Sequence, residues 1–428
     1  MPTPTADLVL RGGPIHTFTT TTPATAIAIR SGVVMRVGNV DSLIGPGTDV
    51  VELSGRAVIP GINDAHLHAV WLGALWPDTL LDSGMVERPL RTGPARRTAI
   101  LRAGSLLASL GITSYTEPGL GPGEDDGSTG AFGTSVVEEY RRLAAEGLLR
   151  ARVTGLWLYG ELDGRSTLPA FLAGLTTESV GDPRWLNFRG VKIFADGIPP
   201  MRTSYTRHCY ADGSRPSLLV DGGEEALTAM VLAAHHAGLQ VGVHATGDRA
   251  VEVFLDAVTR ARASVDVDLR HYVIHGDLVD SSQLARMARL GVGLSTQAGI
   301  AVRTFAGVRE VLGVESAWRL TEALAVGVRM CLTSDAPVLP PDWRLEIATA
   351  DAWMGAAGDP RSRMETLLRC YTVHPAWQDG VGWKGTLGEG MAADLCVLAA
   401  DPFELTAAEL PDVDVDMTVV DGRVVFER

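Results

Sequence analysis

The feature that most constrains this chain is an alternation. Between about residues 59 and 381, short apolar runs that read as strands take turns with amphipathic stretches that read as helices. The apolar runs end near Ala65, Thr116, Leu158, Phe194, His244, His275, Thr296 and Thr333. Helical periodicity lies between them, for instance over 98–110, 133–149, 223–237, 250–263, 281–290 and 317–326. Parallel strands need crossover connections, and helices supply them. Eight such units predict an α/β chain whose centre is a (β/α)8 TIM-like barrel with loop insertions. An open doubly wound sheet is disfavoured, because no G-x-G-x-x-G follows the first strand.

The two ends have another texture. Leu8-Val9-Leu10, Ala26–Ile29, Val33–Val37 and Asp49–Leu53 read as strands separated by Gly-containing turns. The tail repeats this with Asp394–Leu398, Met417–Val420 and Val424–Phe426, the last two joined by Asp421-Gly422. Asp-Gly between apolar runs is a strong hairpin signal. The expected organisation is therefore a small β-sandwich domain built from 1–58 plus 382–428, around a catalytic barrel of 59–381.

Composition narrows the function. With 46% hydrophobic and 21% charged residues, the chain of 428 is an ordinary globular one. Its net charge of −14 argues against nucleic acid and against an anionic membrane surface. No run approaches the roughly 18 apolar residues of a membrane span. Met1-Pro2-Thr3-Pro4-Thr5 has no basic segment and no apolar core, so no secretory signal is expected. Cys209, Cys331, Cys370 and Cys396 are far apart and show no zinc-knuckle spacing, which fits reduced cysteines and a cytoplasmic protein. The 48 glycines exceed the usual share and are expected where strands turn into loops and where helices end.

Polar residues collect at the strand ends. Strand 1 runs into His66-Leu67-His68, and histidines at i and i+2 of an extended chain point to one side. Strand 4 carries Lys192 inside an apolar run, where a cation is costly unless paired or modified. Strands 5, 6 and 8 end on His244, His275 and Asp335. In a barrel the carboxyl ends of all strands meet at one face, so these six residues would converge. Imidazoles with a carboxylate suit Zn2+ or another divalent metal.

At these residues the sequence resembles the amidohydrolase superfamily. Val58-Ile59-Pro60-Gly61-Ile62-Asn63-Asp64-Ala65-His66-Leu67-His68 matches its first-strand motif. The run from Gly385 to Leu395 looks like its return into the β-domain. Val191–Gly197, His244–Ala250 and Ser334-Asp335-Ala336-Pro337 point to the YtcJ-like branch, amidohydrolase family 3. The resemblance implies a hydrolase that cleaves a C–N bond of an amide-like small molecule by metal-activated hydroxide. It implies that His66, His68 and Asp335 bind one metal, His244 and His275 a second, and that Lys192, carboxylated by CO2, bridges them. One or two zinc ions are allowed. Asp335 would also act as general base and then acid. A homodimer is allowed too, since many such barrels pair. The branch usually has Glu before the strand-6 histidine, where this chain has Ile274 followed by Gly276-Asp277.

Other readings stay open. A single-metal deaminase would use a Glu after strand 5, and His244-Ala245-Thr246-Gly247-Asp248 offers none. A lyase, isomerase or decarboxylase could use the same scaffold, and a catalytically silent binding or assembly protein is the non-enzyme alternative. Candidate substrate contacts are Glu117 at the end of strand 2, Trp71 after the histidine pair, Trp157 at the end of strand 3, and Arg202, Tyr205 and His208 in the loop after strand 4. Asp196 reads equally as a ligand-orienting group or a loop cap, and Asp248 as a helix N-cap. His235 and His236 read as structural, and Asp78, Asp82 and Glu87 as solvated.

Overall fold

Eight parallel strands pair in the order in which they occur along the chain: β1 (Ile62–Asp64), β2 (Ile112–Leu120), β3 (Arg152–Leu158), β4 (Leu186–Phe194), β5 (Gln240–Ala245), β6 (Tyr272–His275), β7 (Gly293–Thr296) and β8 (Met330–Leu332). The structure is a computed structural model that describes residues 5–84, 88–355 and 357–428. Expectations for Met1–Pro4 and for Glu87 lie outside the described residues.

The strands are apolar and buried almost throughout, as a sheet covered on both faces requires. On one face Leu156, Tyr272 and Ile274 fill the barrel interior. On the other, Val153, Val241, Val243 and Val273 join the large core shared with the surrounding helices. The seam between β8 and β1 is bridged just beyond their ends. Asp335 N donates to His66 O (2.9 Å), and His68 N donates to Ala336 O (2.7 Å). These two bonds set the H-x-H segment beside Asp335, so barrel closure and the site are one event.

Most expected strand ends agree with the structure to within a residue. Strand 2 does not: it runs on from Thr116 to Leu120. Pro118-Gly119 reads as a turn, yet it forms a bulge inside the strand, with Gly119 at φ 97° and a register shift against β3. The helix expected from 98 starts at Gly93, because Thr92 caps it by accepting from Ala95 N.

A second, mostly antiparallel sheet draws on both ends of the chain. Its order is Arg423–Glu427, Val415–Val420, Leu395–Leu398, Ala57–Pro60, Leu8–Ile15, Ala24–Arg30 and Val33–Val37, with Asp49–Glu52 also pairing Leu8–Ile15. Alternation sorts its side chains: Leu8, Leu10, Ile27 and Ile29 enter one core, while Val9, Ala26 and Ala28 enter another. Asp421 (φ 53°) and Gly422 (φ 73°) form the expected tight hairpin turn. In Leu395–Leu398, Leu395 and Val397 serve the terminal core while Cys396 and Leu398 serve the barrel core. That strand joins the two cores. No helix among the described residues is long and apolar enough to cross a membrane.

Candidate metal centre

Each of the six strand-end residues is at most 8% exposed. Ligand atoms of His66, His275 and Asp335 all lie within 4.8 Å of one another. His66 Nε2 is 3.1 Å from Asp335 Oδ1, and His68 Nε2 is 3.7 Å from the same oxygen. The His275 ring packs 4.5 Å from His244 and 5.4 Å from His66. His244 Nε2 faces Gly197 O at 3.1 Å. Lys192 is 1% exposed, on β4 beside Leu158 and Gly242 of the flanking strands, with Nζ 4.6 Å from the Phe194 ring centroid.

Burial governs the protonation of this group. Removal from water, then the charge of Lys192 and the neighbouring rings, holds His66 well below the usual imidazole range. Burial and His66 bring His68 down to about 3, and burial likewise lowers His244 and His275. The imidazoles are therefore neutral, the form that binds a metal. Burial brings Lys192 down to about 8, although Asp335 and Asp163 oppose the shift.

The donor set fits a divalent ion. Imidazole nitrogens and one carboxylate oxygen converge in a water-poor space, and the Nδ1 atoms of His66 and His68 are buried without a hydrogen-bond partner. His275 is oriented from behind: its Nδ1 lies 2.9 Å from Gln297 Oε1, and Gln297 Nε2 donates to Thr333 Oγ1 at 2.7 Å. That contact leaves His275 Nε2 as the ligand atom.

Buried carboxylates on adjoining elements hold the ligand-bearing loops. Asp64 accepts from His66 N and Ser334 N. Glu117 accepts from Val70 N at 3.2 Å and from the Tyr140 hydroxyl, at the start of the helix Ala69–Leu75 that follows His68. Asp196 accepts from Thr246 N, Gly247 N and Tyr205 N (2.8–2.9 Å), just after His244. Glu346 takes Ala298 N and Gly299 N, just after Gln297. Each carboxylate meets the positive end of a helix or turn that starts at the reactive face. At Gly247 a Cβ would lie 2.1 Å from Tyr205 O, so only glycine lets the strand-4 loop close over β5.

Several candidate contacts sit elsewhere. Both Glu117 oxygens are engaged as described, which makes it a positioning group for the His68 helix rather than an open surface of the mouth. Trp157 stacks on Phe188 at 4.7 Å, on the strand face opposite Leu156 and Leu158, because side chains alternate. Tyr205 gives its hydroxyl to Glu224, and Arg202 lies exposed, 3.5 Å from Asp212. His208 is exposed. Trp71 packs against Phe132, whose ring is also 5.3 Å from His68, so Phe132 walls the site. Asp248 is the first residue of its helix rather than the cap, and accepts from Arg207 N. His235 is structural, bonded to His271 and to Val265 O. Asp78 and Asp82 are ion-paired at the surface with Arg88 and Arg303.

Sequence reasoning passed over Gln297 and Glu346, and named Asp277 only as part of the departure from the branch's pattern after His275. Gln297 and Asp277 stand one and two residues past a strand end, the signal that would have found them. Burial, with the charges of Asp196 and Asp335, pushes Asp277 well above the usual carboxylate range.

Fold and site together define a (β/α)8 barrel with a histidine–aspartate metal-type centre at the carboxyl ends of its strands. The chain belongs to the amidohydrolase family, whose sequence profile matches residues 76–426. Among curated relatives, the N-substituted formamide deformylase of Arthrobacter pascens is 26% identical over 404 residues, covering 86% of this chain and 71% of that one. YtcJ of Bacillus subtilis (strain 168) is 28% identical over 257 residues, 57% of this chain and 48% of YtcJ, so the match spans about half of that relative. In fold, the chain is similar to an uncharacterized metal-dependent hydrolase from Pyrococcus furiosus, with a TM-score of 0.74, 21% identity, and coverage of 92% of this chain and 99% of that one.

Proposed function

We propose that this chain is a metal-dependent hydrolase that cleaves the C–N bond of a small amide-like molecule: an N-formyl, N-acyl or cyclic amide. The observation that carries the reading is the convergence of His66, His275 and Asp335, with His68 on the same carboxylate oxygen. His66, His68 and Asp335 would hold one zinc or similar divalent ion, and His244 and His275 a second. Lys192, carboxylated on Nζ, would lie between them. Its lowered pKa favours this, because only the neutral amine adds CO2. A divalent ion at this place supplies a water that ionises near neutral pH and a Lewis acid for the carbonyl.

The chain's own groups do the rest. Asp335 accepts the proton of the attacking water on its carboxylate and delivers it to the leaving nitrogen. Gln297 keeps His275 in one tautomer and one orientation. Phe132, over His68, keeps bulk water out. The net charge of −14 supports a small-molecule partner over a nucleic acid.

The test joins metal analysis to turnover. Protein expressed with added zinc should carry one or two metal ions, lose activity to a chelator, and hydrolyse some member of a panel of N-formyl, N-acyl and cyclic amides. The relative named N-substituted formamide deformylase makes N-formyl amines the first arm. Metal-free protein whose activity ignores chelators would sink the proposal.

A further inference from the structure

The open seam of the barrel lies under the metal-type centre. β1 is three residues long, and the hydrogen-bonded order of the sheet runs from β1 to β8 without pairing those two strands. Above the seam, the backbone bonds of His66 and His68 to Asp335 and Ala336 close it. Below, no ladder sets the height of β1, and a strand edge of this kind needs other groups to hold its register. His66 follows β1 and must meet His275 at the end of β6, so its place depends on what spans the gap.

A dipeptide spans it from beneath. Gln378 and Asp379, 1% and 2% exposed, end the helix Val373–Gln378. They sit at the amino ends of the strands, where Gln240 Nε2, from the first residue of β5, donates to Gln378 O (2.8 Å). From there the Gln378 side chain reaches toward the site. Its Nε2 donates to Ala65 O (3.3 Å), in the residue before His66, and its Oε1 accepts from Ser295 Oγ (2.8 Å) on β7. Ser295 is two residues before Gln297, which orients His275. One amide therefore ties the end of β1 to β7, past β8.

Asp379 anchors that amide. Its Oδ2 accepts from Asn63 Nδ2 on β1 (2.7 Å) and from Lys384 Nζ (2.8 Å), and its Oδ1 from Thr116 Oγ1 on β2 (3.1 Å). Arg189 on β4 donates to Asp379 O at 2.9 Å. Gly380 then turns at φ 75°, and a Cβ there would fall 1.0 Å from Arg189 Nη1, so the turn requires glycine. Barrel interiors are usually filled by bulky apolar side chains. An apolar plug would fill this space too, but a satisfied polar network specifies one arrangement. That matters beneath a catalytic centre, where a shift of about 1 Å can cost about 100-fold in rate.

Building on the hydrolase reading, we infer that Gln378 is a positioning residue for the metal centre: anchored by Asp379, its amide holds Ala65 against Ser295 and so sets His66 opposite His275. Its hydrogen bonds go to no assigned ligand, so it acts through the placement of the strand ends.

The test compares Gln378→Met, which keeps the side-chain length and removes both arms of the amide, with Gln240→Met, which removes buried hydrogen bonds from the outer side of the same hub. Both should lower the urea midpoint. Only Gln378→Met should weaken zinc binding, by about tenfold in competition with a chelator. It should also change the visible absorption of the cobalt(II)-loaded chain, which reports ligand geometry, while Gln240→Met keeps the parent spectrum. On an N-formyl substrate Gln378→Met should lower kcat and leave KM within about twofold. If Gln378→Met yields no folded protein, Ser295→Ala removes one arm alone and should move zinc affinity and the cobalt spectrum in the same direction, less far. Parent-like affinity and spectrum in Gln378→Met, or in Ser295→Ala where it stands in, would overturn the inference. Equal metal defects in Gln378→Met and Gln240→Met would overturn it too, by reducing the hub to general stability. The stated metal response in a chain that hydrolyses no amide would instead overturn the hydrolase reading and leave the brace standing.

Discussion

His66 and His68 follow the end of β1 at Asp64, in a bend that leads into the helix Ala69–Leu75, and both direct Nε2 at Asp335 Oδ1. The pair is legible in the sequence as two histidines at a strand end, but the strand stops before them, and the bend rather than strand alternation sets their common direction. His68→Ala removes one of the convergent donors and leaves a small cavity behind Phe132. Metal analysis of the variant should show reduced metal, with activity at background, while circular dichroism keeps the native spectrum. A variant with full metal content would exclude His68 from the ligand set. Gln297 is a different kind of residue, since it acts through His275. Gln297→Ala should cost about 10- to 100-fold in metal affinity or activity, and Gln297→Glu, which keeps the acceptor, should recover part of the loss. Equal defects in the two variants would argue for a packing role instead.

At the scale of elements, strand ends were legible wherever a polar residue closes an apolar run, as at His244 and His275. They were not legible where turn-type residues sit inside a strand, as Pro118-Gly119 does in β2. Trp157 shows the second limit. A sequence places it at a strand end but does not say which face it takes until the registry of β3 against β4, with its bulge between Phe188 and Gly190, is known. Glu117 shows the third. Its role depends on the helix Ala69–Leu75, whose Val70 N donates to it from 47 positions away in sequence. Burial raises its carboxyl from 4.5 to about 8, against the hydrogen bonds from Tyr140 and Val70. Between about pH 4.5 and 8 the folded chain therefore keeps a proton that the unfolded chain has released, and this group costs stability as pH rises. Glu117→Gln keeps an acceptor for Val70 N and removes the titration. The unfolding free energy of the variant minus that of the parent should climb across this window, by an amount on the order of a few kcal/mol at its upper end. A difference that stays level from pH 5 to 8 would contradict the assignment.

At the scale of the whole molecule, the barrel and the terminal sheet are latched at Arg152, on β3. Its guanidinium is 3% exposed and bidentate on Asp394 (2.7 and 3.0 Å), with a further bond to Asp421 at 2.9 Å. It lies 4.9 Å and 5.0 Å from the ring centroids of Trp185 and Trp383. Asp394 precedes the strand Leu395–Leu398 and Asp421 sits in the turn between the last two strands, so one barrel residue fixes the return of the C-terminus. The same region sets the entry to the site, since Gly61 N, just before β1, donates to Asp394 O at 2.9 Å. Removing one member of a buried ion pair leaves the others desolvated and uncompensated, which typically costs about 3–5 kcal/mol. Arg152→Ala should lower unfolding stability in urea by roughly that amount. Arg152→Ala combined with Asp394→Asn should lose less than the two single changes summed, because both act on one network. The centre lies at the other end of β3, so metal content and activity at 20 °C should survive in each variant. A loss below about 1 kcal/mol, the usual value of an exposed pair, would mean that the latch is solvated. Loss of metal at unchanged stability would mean instead that Arg152 acts on the site through β1.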